Sequence, residues 1–181
     1  GALANRVEQA GSGIARLPLV PQELGDHIPL SLAQQRMWFV NQADTTSPAY
    51  NIPVVLELTG HLDLAALGQA LDDVVGRHEV LRTIYPDTDG EPWQLVLDHA
   101  PVLLESTRAS ASEVEDVVSG FVRRGFDVTA SVPMRVAVVA IDPDGVDDPH
   151  GPDNRDAHDD REGTDGRFLL VLVVHHIAGD G

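Results

Sequence analysis

A continuous apolar run near the end of the sequence constrains the fold most strongly. Residues 168–174 read FLLVLVV, with no polar side chain among them. A strand with one solvated face alternates apolar and polar side chains, so an unbroken run indicates a strand buried on both faces. We therefore predict that this strand lies inside a sheet on which helices pack.

The rest of the pattern supplies further strands and helices. Residues 52–58 are rich in β-branched side chains and predict a strand, as do residues 134–141. Ser31 and Asp63 are residue types that cap helices, and an apolar stripe of about three turns follows Asp63. Shorter strands are predicted at 81–85, 93–97 and 102–105, and a capping box at 112–115 predicts another helix. This order predicts an α/β (α+β) fold with a mixed β-sheet.

The composition excludes several classes of function. The 181 residues include 12 Lys and Arg against 29 Asp and Glu, which gives a formal net charge of −17. Nucleic acids and anionic membrane surfaces both require a basic face, so neither is an expected partner. No apolar run reaches the roughly 18 residues that a membrane span needs. The absence of cysteine excludes disulfides, zinc thiolate sites and thiol nucleophiles, and we expect a cytoplasmic protein.

One segment holds much of the negative charge. Residues 142–167 contain ten carboxylates and three arginines, with Pro and Gly scattered among them. This composition predicts a disordered surface loop between two strands. A calcium site built from its aspartates is the alternative, although the EF-hand ligand pattern is absent.

The residues that follow the apolar run are the strongest candidates for chemistry. They read HHIAGDG, from His175 to Gly181. Side chains alternate along a strand, so His175 and His176 point in opposite directions and only one can face a given cleft. A histidine suits general-base work, and Asp180 can orient an imidazole or pair with a buried cation. The alternative is that both histidines are structural and precede a polar turn. These residues alone do not decide between a catalytic and a structural role.

Two other stretches complete a family resemblance. Residues 31–38 read SLAQQRMW, and residues 77–85 read RHEVLRTIY. Arg82 falls within a predicted strand, where its charge must reach water or a carboxylate. With HHIAGDG at 175–181, these stretches resemble the three leading motifs of nonribosomal peptide synthetase condensation domains, in the family's order. Tyr85 stands where the family usually has Phe.

The resemblance assigns most of the chain to one lobe of a larger domain. It covers residues 28–181, interrupted by the acidic segment, and implies the N-terminal, donor-side lobe of a two-lobed fold related to chloramphenicol acetyltransferase. Residues 1–10 resemble the tail helix of an upstream carrier domain, and residues 11–27 resemble the linker that follows it. A lobe without its partner exposes an inner wall, which predicts contact with another copy of the chain.

The resemblance also implies a reaction. Condensation domains join an acyl or peptidyl thioester to the amine of an aminoacyl thioester, and both substrates are delivered on the phosphopantetheine of partner carrier proteins. His176 matches the central residue, which deprotonates or positions the amine or stabilises the charged intermediate. His175 and Gly181 are expected to support the site, and Asp180 to pair with Arg82. No metal and no cofactor bound by this chain is implied.

Two alternatives to peptide-bond formation by this chain remain. A lobe that lacks its partner suits a non-catalytic module that docks carrier proteins, or an inactive fragment. An epimerisation domain shares the third motif, although SLAQQRMW at 31–38 favours condensation.

Overall fold

Eight strands and three helices make up the part of the chain that the structure, a computed structural model, describes: Gly25, residues 27–142 and residues 166–179. In chain order they are β1 (Ile28–Pro29), α1 (Leu32–Ala43), β2 (Asn51–Gly60), α2 (Leu64–Arg77), β3 (Thr83–Ile84), β4 (Asp87–Thr88), β5 (Glu91–Val96), β6 (Leu104–Ser110), α3 (Val114–Val122), β7 (Met134–Asp142) and β8 (Gly166–His175). Short 3-10 turns lie at Glu79–Arg82 and His176–Ala178. The predicted tail helix, nearly all of the linker and most of the acidic loop lie outside the described residues.

The main sheet has the strand order β2-β8-β7-β6. β8 pairs antiparallel with both of its neighbours, while β6 and β7 run parallel. A parallel pair needs a crossover connection, and α3 supplies it. The expected mixed sheet with packed helices is confirmed.

Both faces of β8 are covered, as its unbroken apolar run predicts. On one face, Leu170 lies in a buried cluster with Leu71 and Val75 of α2. On the other face, Val171 and Val173 lie in a second cluster that includes α3, the loop after it and the residue before α1, with the members Leu30, Tyr85, Phe121, Phe126, Val128, Ala137 and Ile177. The sheet therefore separates two apolar cores.

A second, smaller sheet lies beside the main one. Its central strand β5 pairs antiparallel with β1, β3 and β4. The sequence indicates the hairpin between β3 and β5 but not a separate sheet, because strands of two residues leave almost no alternation to detect.

The predicted helix caps at Ser31 and Asp63 are confirmed. The Ser31 hydroxyl accepts from the Gln34 amide at 3.2 Å, and the Gln34 side chain accepts from the Ser31 amide at 2.9 Å. Asp63 accepts from the Ala66 amide at 2.9 Å. Both interactions satisfy amides that have no partner within the helix.

The predicted capping box at the start of α3 is wrong. The N-cap residue is Glu113, and it makes no side-chain cap hydrogen bond. Its carboxylate instead accepts from the amide and hydroxyl of Ser110, while the Ser112 hydroxyl lies 3.0 Å from that of Ser110. Ser110 at the end of β6 therefore engages the Ser112 hydroxyl that the predicted box requires, and the helix begins one residue later.

Two strand predictions are wrong in position. Residues 79–82 form a 3-10 turn, so Arg82 ends a turn and does not lie within a strand. Only Thr83–Ile84 continues as β3. The strand predicted at 102–105 begins at Leu104 and extends to Ser110, where pairing with the buried β7 overrides the polar sequence.

A buried amide ties α1 to the loop that follows α3. Asn41 is 4% exposed, and its Nδ2 donates to the Phe126 carbonyl at 2.8 Å. Its Oδ1 accepts from the Val128 amide at 3.4 Å. In the same loop, a Cβ on Gly125 would collide with the backbone of the 45–46 segment, so only glycine permits this approach.

We expect Asn41→Ala to lower the free energy of unfolding by about 1–3 kcal/mol, because two backbone groups lose a buried partner. Urea unfolding measures the change. The matched control is Gln42→Ala, an exposed amide on the same helix, for which a change below about 0.5 kcal/mol is expected. Equal losses in the two variants would contradict the role given to Asn41.

Candidate active site

The three motif stretches meet in one apolar cluster. Tyr85 of the second stretch is fully buried, and its carbonyl accepts from Trp38 Nε1 at 2.9 Å. Ile177 of the third stretch lies in the same cluster, and Met37 and Trp38 of the first pack against it. Stretches that are far apart in sequence therefore surround the end of β8.

The hydroxyl of Tyr85 has a partner from the first stretch. It accepts from Gln34 Nε2 at 3.4 Å. Burial raises the pKa of the Tyr85 phenol to about 12, which the Gln34 hydrogen bond partly offsets. The phenol is therefore neutral at physiological pH, and Gln34 solvates the one atom that distinguishes Tyr85 from Phe.

The two adjacent histidines occupy different environments. His175 is 1% exposed and shares its sheet face with Val173, with the Phe126 ring edge-on at 5.8 Å between centroids. His176 is half-buried and begins the 3-10 turn. Its amide donates to the Tyr50 carbonyl at 2.9 Å. Of the pair, the second histidine is the more exposed residue.

His175 makes a hydrogen bond to the backbone two residues further on. Its Nδ1 accepts from the Ile177 amide at 3.2 Å and caps the 3-10 turn. Burial above all, together with repulsion from Arg135 and from His176 when that ring is protonated, lowers the pKa of His175 to about 4. The ring is therefore neutral at physiological pH.

Arg135 of β7 is a partly buried cation that the sequence reasoning missed. Its Nη1 donates to the Gly125 carbonyl at 3.0 Å, and its Nη2 donates to the Val122 carbonyl at 3.4 Å and to the Arg124 carbonyl. The guanidinium lies 4.1 Å from the Phe126 ring centroid, which is a cation–π distance. Phe126 is the ring that contacts His175, so Arg135 lies on the same side of the sheet.

The charge of Arg135 persists at neutral pH. Burial lowers its pKa to about 10, the neighbouring Arg124 lowers it as well, and Glu105 raises it. The signal that could have found this residue is a charged side chain inside an otherwise apolar strand pattern at 134–141.

Asn51 shares the carbonyls at the end of α3 with Arg135. Its Nδ2 donates to the Val122 carbonyl at 2.7 Å and to the Arg124 carbonyl at 2.8 Å. Asn51 is the register partner of His175 in the β2–β8 pair. The last carbonyls of a helix have no partner within it, so side chains from β2 and β7 fix α3 above His175.

The expected salt bridge between Arg82 and Asp180 stays a prediction, because Asp180 and Gly181 lie outside the described residues. The Arg82 side chain is 16% exposed. Its Nη1 donates to the Leu97 carbonyl at 2.5 Å, and its Nη2 lies 3.4 Å from Glu79 Oε1. These two contacts hold the guanidinium between the 3-10 turn and the end of β5.

Residues 27–142 and 166–179 show neither a metal-binding cluster nor a membrane-spanning helix. No group of three or more His, Asp or Glu side chains there is arranged to hold a metal ion. None of the helices in this part of the chain has the length and apolar character needed to cross a bilayer. The calcium alternative concerns mainly residues 143–165, which the structure does not describe.

We expect acid to destabilise the fold through His175. An unfolded histidine binds a proton near pH 6.5, whereas folded His175 stays neutral down to about pH 4. The unfolded chain therefore binds more protons between these values, and the stabilising contribution present above pH 6.5 is lost as the pH falls toward 4. The largest loss is about 3 kcal/mol.

The measurement is the free energy of unfolding of the original chain minus that of His175→Asn, followed from pH 7 to pH 4. Taking this difference cancels the pH-dependent contribution of the carboxylates that both chains share. It should fall with acidification, and a flat difference would show that His175 has an ordinary pKa.

Replacing Arg135 with Met should lower the free energy of unfolding by about 2–3 kcal/mol, because partly buried carbonyls after α3 lose a charged donor. Arg108→Met is the control. Arg108 lies on β6 with its side chain 68% exposed, and its ion pair with Asp142 at 3.4 Å should contribute at most about 1 kcal/mol. A loss at position 135 no larger than that at 108 would refute the role of Arg135.

Comparison with known proteins places this geometry in a family. Residues 25–146 match the condensation domain family. The isonitrile lipopeptide synthase of Mycobacterium tuberculosis is 37% identical over 169 residues, which cover 91% of this chain and 6% of the synthase. The dimodular nonribosomal peptide synthase of Bacillus subtilis is 38% identical over 161 residues, which cover 88% of this chain and 6% of that protein.

Solved structures agree with the fold. The X-domain from teicoplanin biosynthesis, in its complex with OxyB, superposes with a TM-score of 0.72 at 26% identity, over 90% of this chain and 31% of that one. The starter condensation domain of rhizomide synthetase RzmA superposes with a TM-score of 0.67 at 19% identity, over 87% of this chain and 34% of that one, which shows a likeness of fold. The chain thus spans about a third of these solved chains and a small part of its curated relatives. With three motif stretches around one strand end and this match over residues 25–146, the chain belongs to the condensation domain family.

Proposed function

We propose that this chain is the N-terminal lobe of a condensation domain that forms peptide bonds within a larger nonribosomal peptide synthetase. The observation that carries the proposal is the placement of His176, half-buried at the end of β8, beside a first histidine that is fully buried. The relatives named as peptide synthases support the reaction class. The chain spans only 6% of such a relative, so the substrates and partners below are part of the proposal.

The proposed substrates are two thioesters carried on the phosphopantetheine arms of an upstream and a downstream carrier domain. The amine nitrogen of the acceptor bonds to the carbonyl carbon of the donor thioester. The carbon–sulfur bond then breaks, and the proton lost by the nitrogen neutralises the departing thiolate. No group is oxidised or reduced in this acyl transfer, and no metal is required.

His176 is the residue we assign to this step. An imidazole at the amine accepts the proton as the nitrogen attacks. An imidazole that carries a proton stabilises the oxyanion of the tetrahedral intermediate instead. The half-buried position is compatible with both roles, because one edge of the ring can face the substrates while the backbone is fixed by Tyr50.

The supporting residues retain their proposed roles. Asp180 pairs with Arg82, and Gly181 brings backbone close to the thioester. The second lobe of the family's two-lobed fold would cover His176. A cytoplasmic location follows from this reaction class and stays a prediction.

Exposed apolar side chains support a contact surface on this lobe. Val54, Val55 and Leu56 of β2 are 45–47% exposed, and Leu32 and Phe39 of α1 are more than 70% exposed. Soluble monomeric domains rarely expose large contiguous apolar patches. We propose that the second lobe covers part of this surface and that an isolated lobe self-associates through it.

A non-catalytic docking module is the second candidate function. The observation that favours it is the structural likeness to the teicoplanin X-domain, which was solved in complex with OxyB. A docking module would bind a protein partner through its surface and would not require the His176 side chain. The complete HHIAGDG sequence at 175–181 favours the catalytic proposal.

The test is His176→Ala in the full-length synthetase, with peptide-bond formation measured by mass spectrometry of the carrier-bound product. Loss of a general base or oxyanion donor should slow this step by about 100-fold or more. His61→Ala, at an exposed histidine just after β2, is the control and should leave the rate unchanged. An unchanged rate in His176→Ala, with partner binding intact, would favour the docking module.

A further inference from the structure

We propose that His175 is a positioning residue, which fixes the orientation of His176 by capping the following turn through its unprotonated Nδ1. The part of this proposal that concerns catalysis rests on the function proposed for His176. The capping interaction itself is independent of that function and is tested separately.

The backbone on both sides of His176 is fixed by hydrogen bonds. The His176 amide donates to the Tyr50 carbonyl at 2.9 Å, and the His176 carbonyl accepts from the Gly179 amide at 3.4 Å. The amide of Ile177 donates to His175 Nδ1 at 3.2 Å. A 3-10 turn of three residues has too few internal hydrogen bonds to be stable alone, so the side-chain cap determines where its first residue stands.

This cap requires one particular form of the imidazole. A nitrogen that accepts a hydrogen bond carries no proton, so the proton of neutral His175 lies on Nε2. Protonation of Nδ1 would turn the acceptor into a donor that faces the Ile177 amide. The cap therefore exists only while His175 remains neutral.

Groups on several elements around His175 favour its neutral form. Burial among apolar side chains disfavours a charge, and the 1% exposure leaves almost no contact with water. Arg135 on β7 adds a fixed positive charge, held by the carbonyls after α3. The rings of Phe126, after α3, and Tyr50, before β2, complete the enclosure at 5.8 and 6.2 Å. His176 contributes a further positive charge whenever it is protonated.

Two substitutions distinguish the cap from simple filling of the core. Asparagine has its carbonyl oxygen on Cγ, at the same number of bonds from the backbone as Nδ1, so it can accept from the Ile177 amide. Glutamine reaches to the level of Nε2 and matches the imidazole better in length, but it has no acceptor at the position of Nδ1. If His175 acts as a cap, Asn is the better replacement at this position. If His175 only fills space in the core, Gln is the better replacement.

The first experiment is NMR of the 181-residue chain labelled with ¹⁵N-histidine. The two ring nitrogens have distinct shifts when neutral, so the spectrum assigns the tautomer. We expect an unprotonated Nδ1 and a protonated Nε2 at His175 from pH 7.5 to pH 5.5. A proton on Nδ1, or a ring that is charged at pH 7, would overturn the proposal.

The second experiment compares His175→Asn and His175→Gln in the full-length synthetase. His175→Asn should retain kcat within about tenfold, while His175→Gln should lose about 100-fold or more with KM nearly unchanged, because only the placement of His176 is altered. Equal rescue by the two variants, or better rescue by Gln, would overturn the capping role. If neither variant folds, the tautomer measured by NMR decides whether His175 caps the turn.

The two proposals fail in different ways. If His176→Ala leaves peptide-bond formation unchanged while NMR shows the expected tautomer, the cap stands and the catalytic role of His176 falls. If the tautomer is reversed while His176→Ala abolishes activity, the catalytic proposal stands and the cap is refuted.

Discussion

The pairing of β8 with strands on both sides is the constraint on which the site depends. Its antiparallel registers with β2 and β7 join nearly every residue of the strand to a partner. A slip by one residue would move Val171 and Val173 out of their core and bury the wrong histidine. The burial of His175 and the partial exposure of His176 are therefore held by the same apolar contacts that stabilise the sheet.

Polar groups then fix what the sheet alone leaves free. Asn41, Asn51 and Arg135 all bind backbone carbonyls in the α3 end and the loop after it. The three residues lie on α1, β2 and β7. Together their hydrogen bonds fix the segment that places the Phe126 ring against His175. Satisfied polar interactions of this kind specify one arrangement where apolar packing alone tolerates several.

The sequence predicts the parts of this structure that depend on local signals. The unbroken run at 168–174 indicates a strand covered on both faces, and Ser31 and Asp63 cap helices through contacts three residues away. Strand alternation predicts different environments for His175 and His176, although β8 ends at His175 and His176 begins the 3-10 turn. The resemblance identifies the three motif stretches by their order in the chain, and the structure shows that Tyr85 joins the first two through Gln34 and Trp38.

What the sequence does not predict depends on partners that are distant in the chain. Ser112 does not cap α3 as expected, because its hydroxyl lies 3.0 Å from that of Ser110 at the end of β6, and the helix begins one residue later. Arg135 interrupts an apolar strand. Its side chain donates to backbone carbonyls after α3, and these become its partners only in the folded chain. The cap from His175 to Ile177 requires the chain to leave β8 as a 3-10 turn, which no residue pattern at 175–178 indicates.

The most direct test of the account is the relative reactivity of the two adjacent histidines toward diethyl pyrocarbonate in the folded chain, resolved by fragment-ion mass spectrometry. The reagent attacks neutral imidazole, and the neutral form of His175 means that its protection would report burial and not charge. The account predicts that His176 is modified first and His175 only on unfolding. Modification of His175 at a rate equal to or above that of His176 in the folded chain would contradict it.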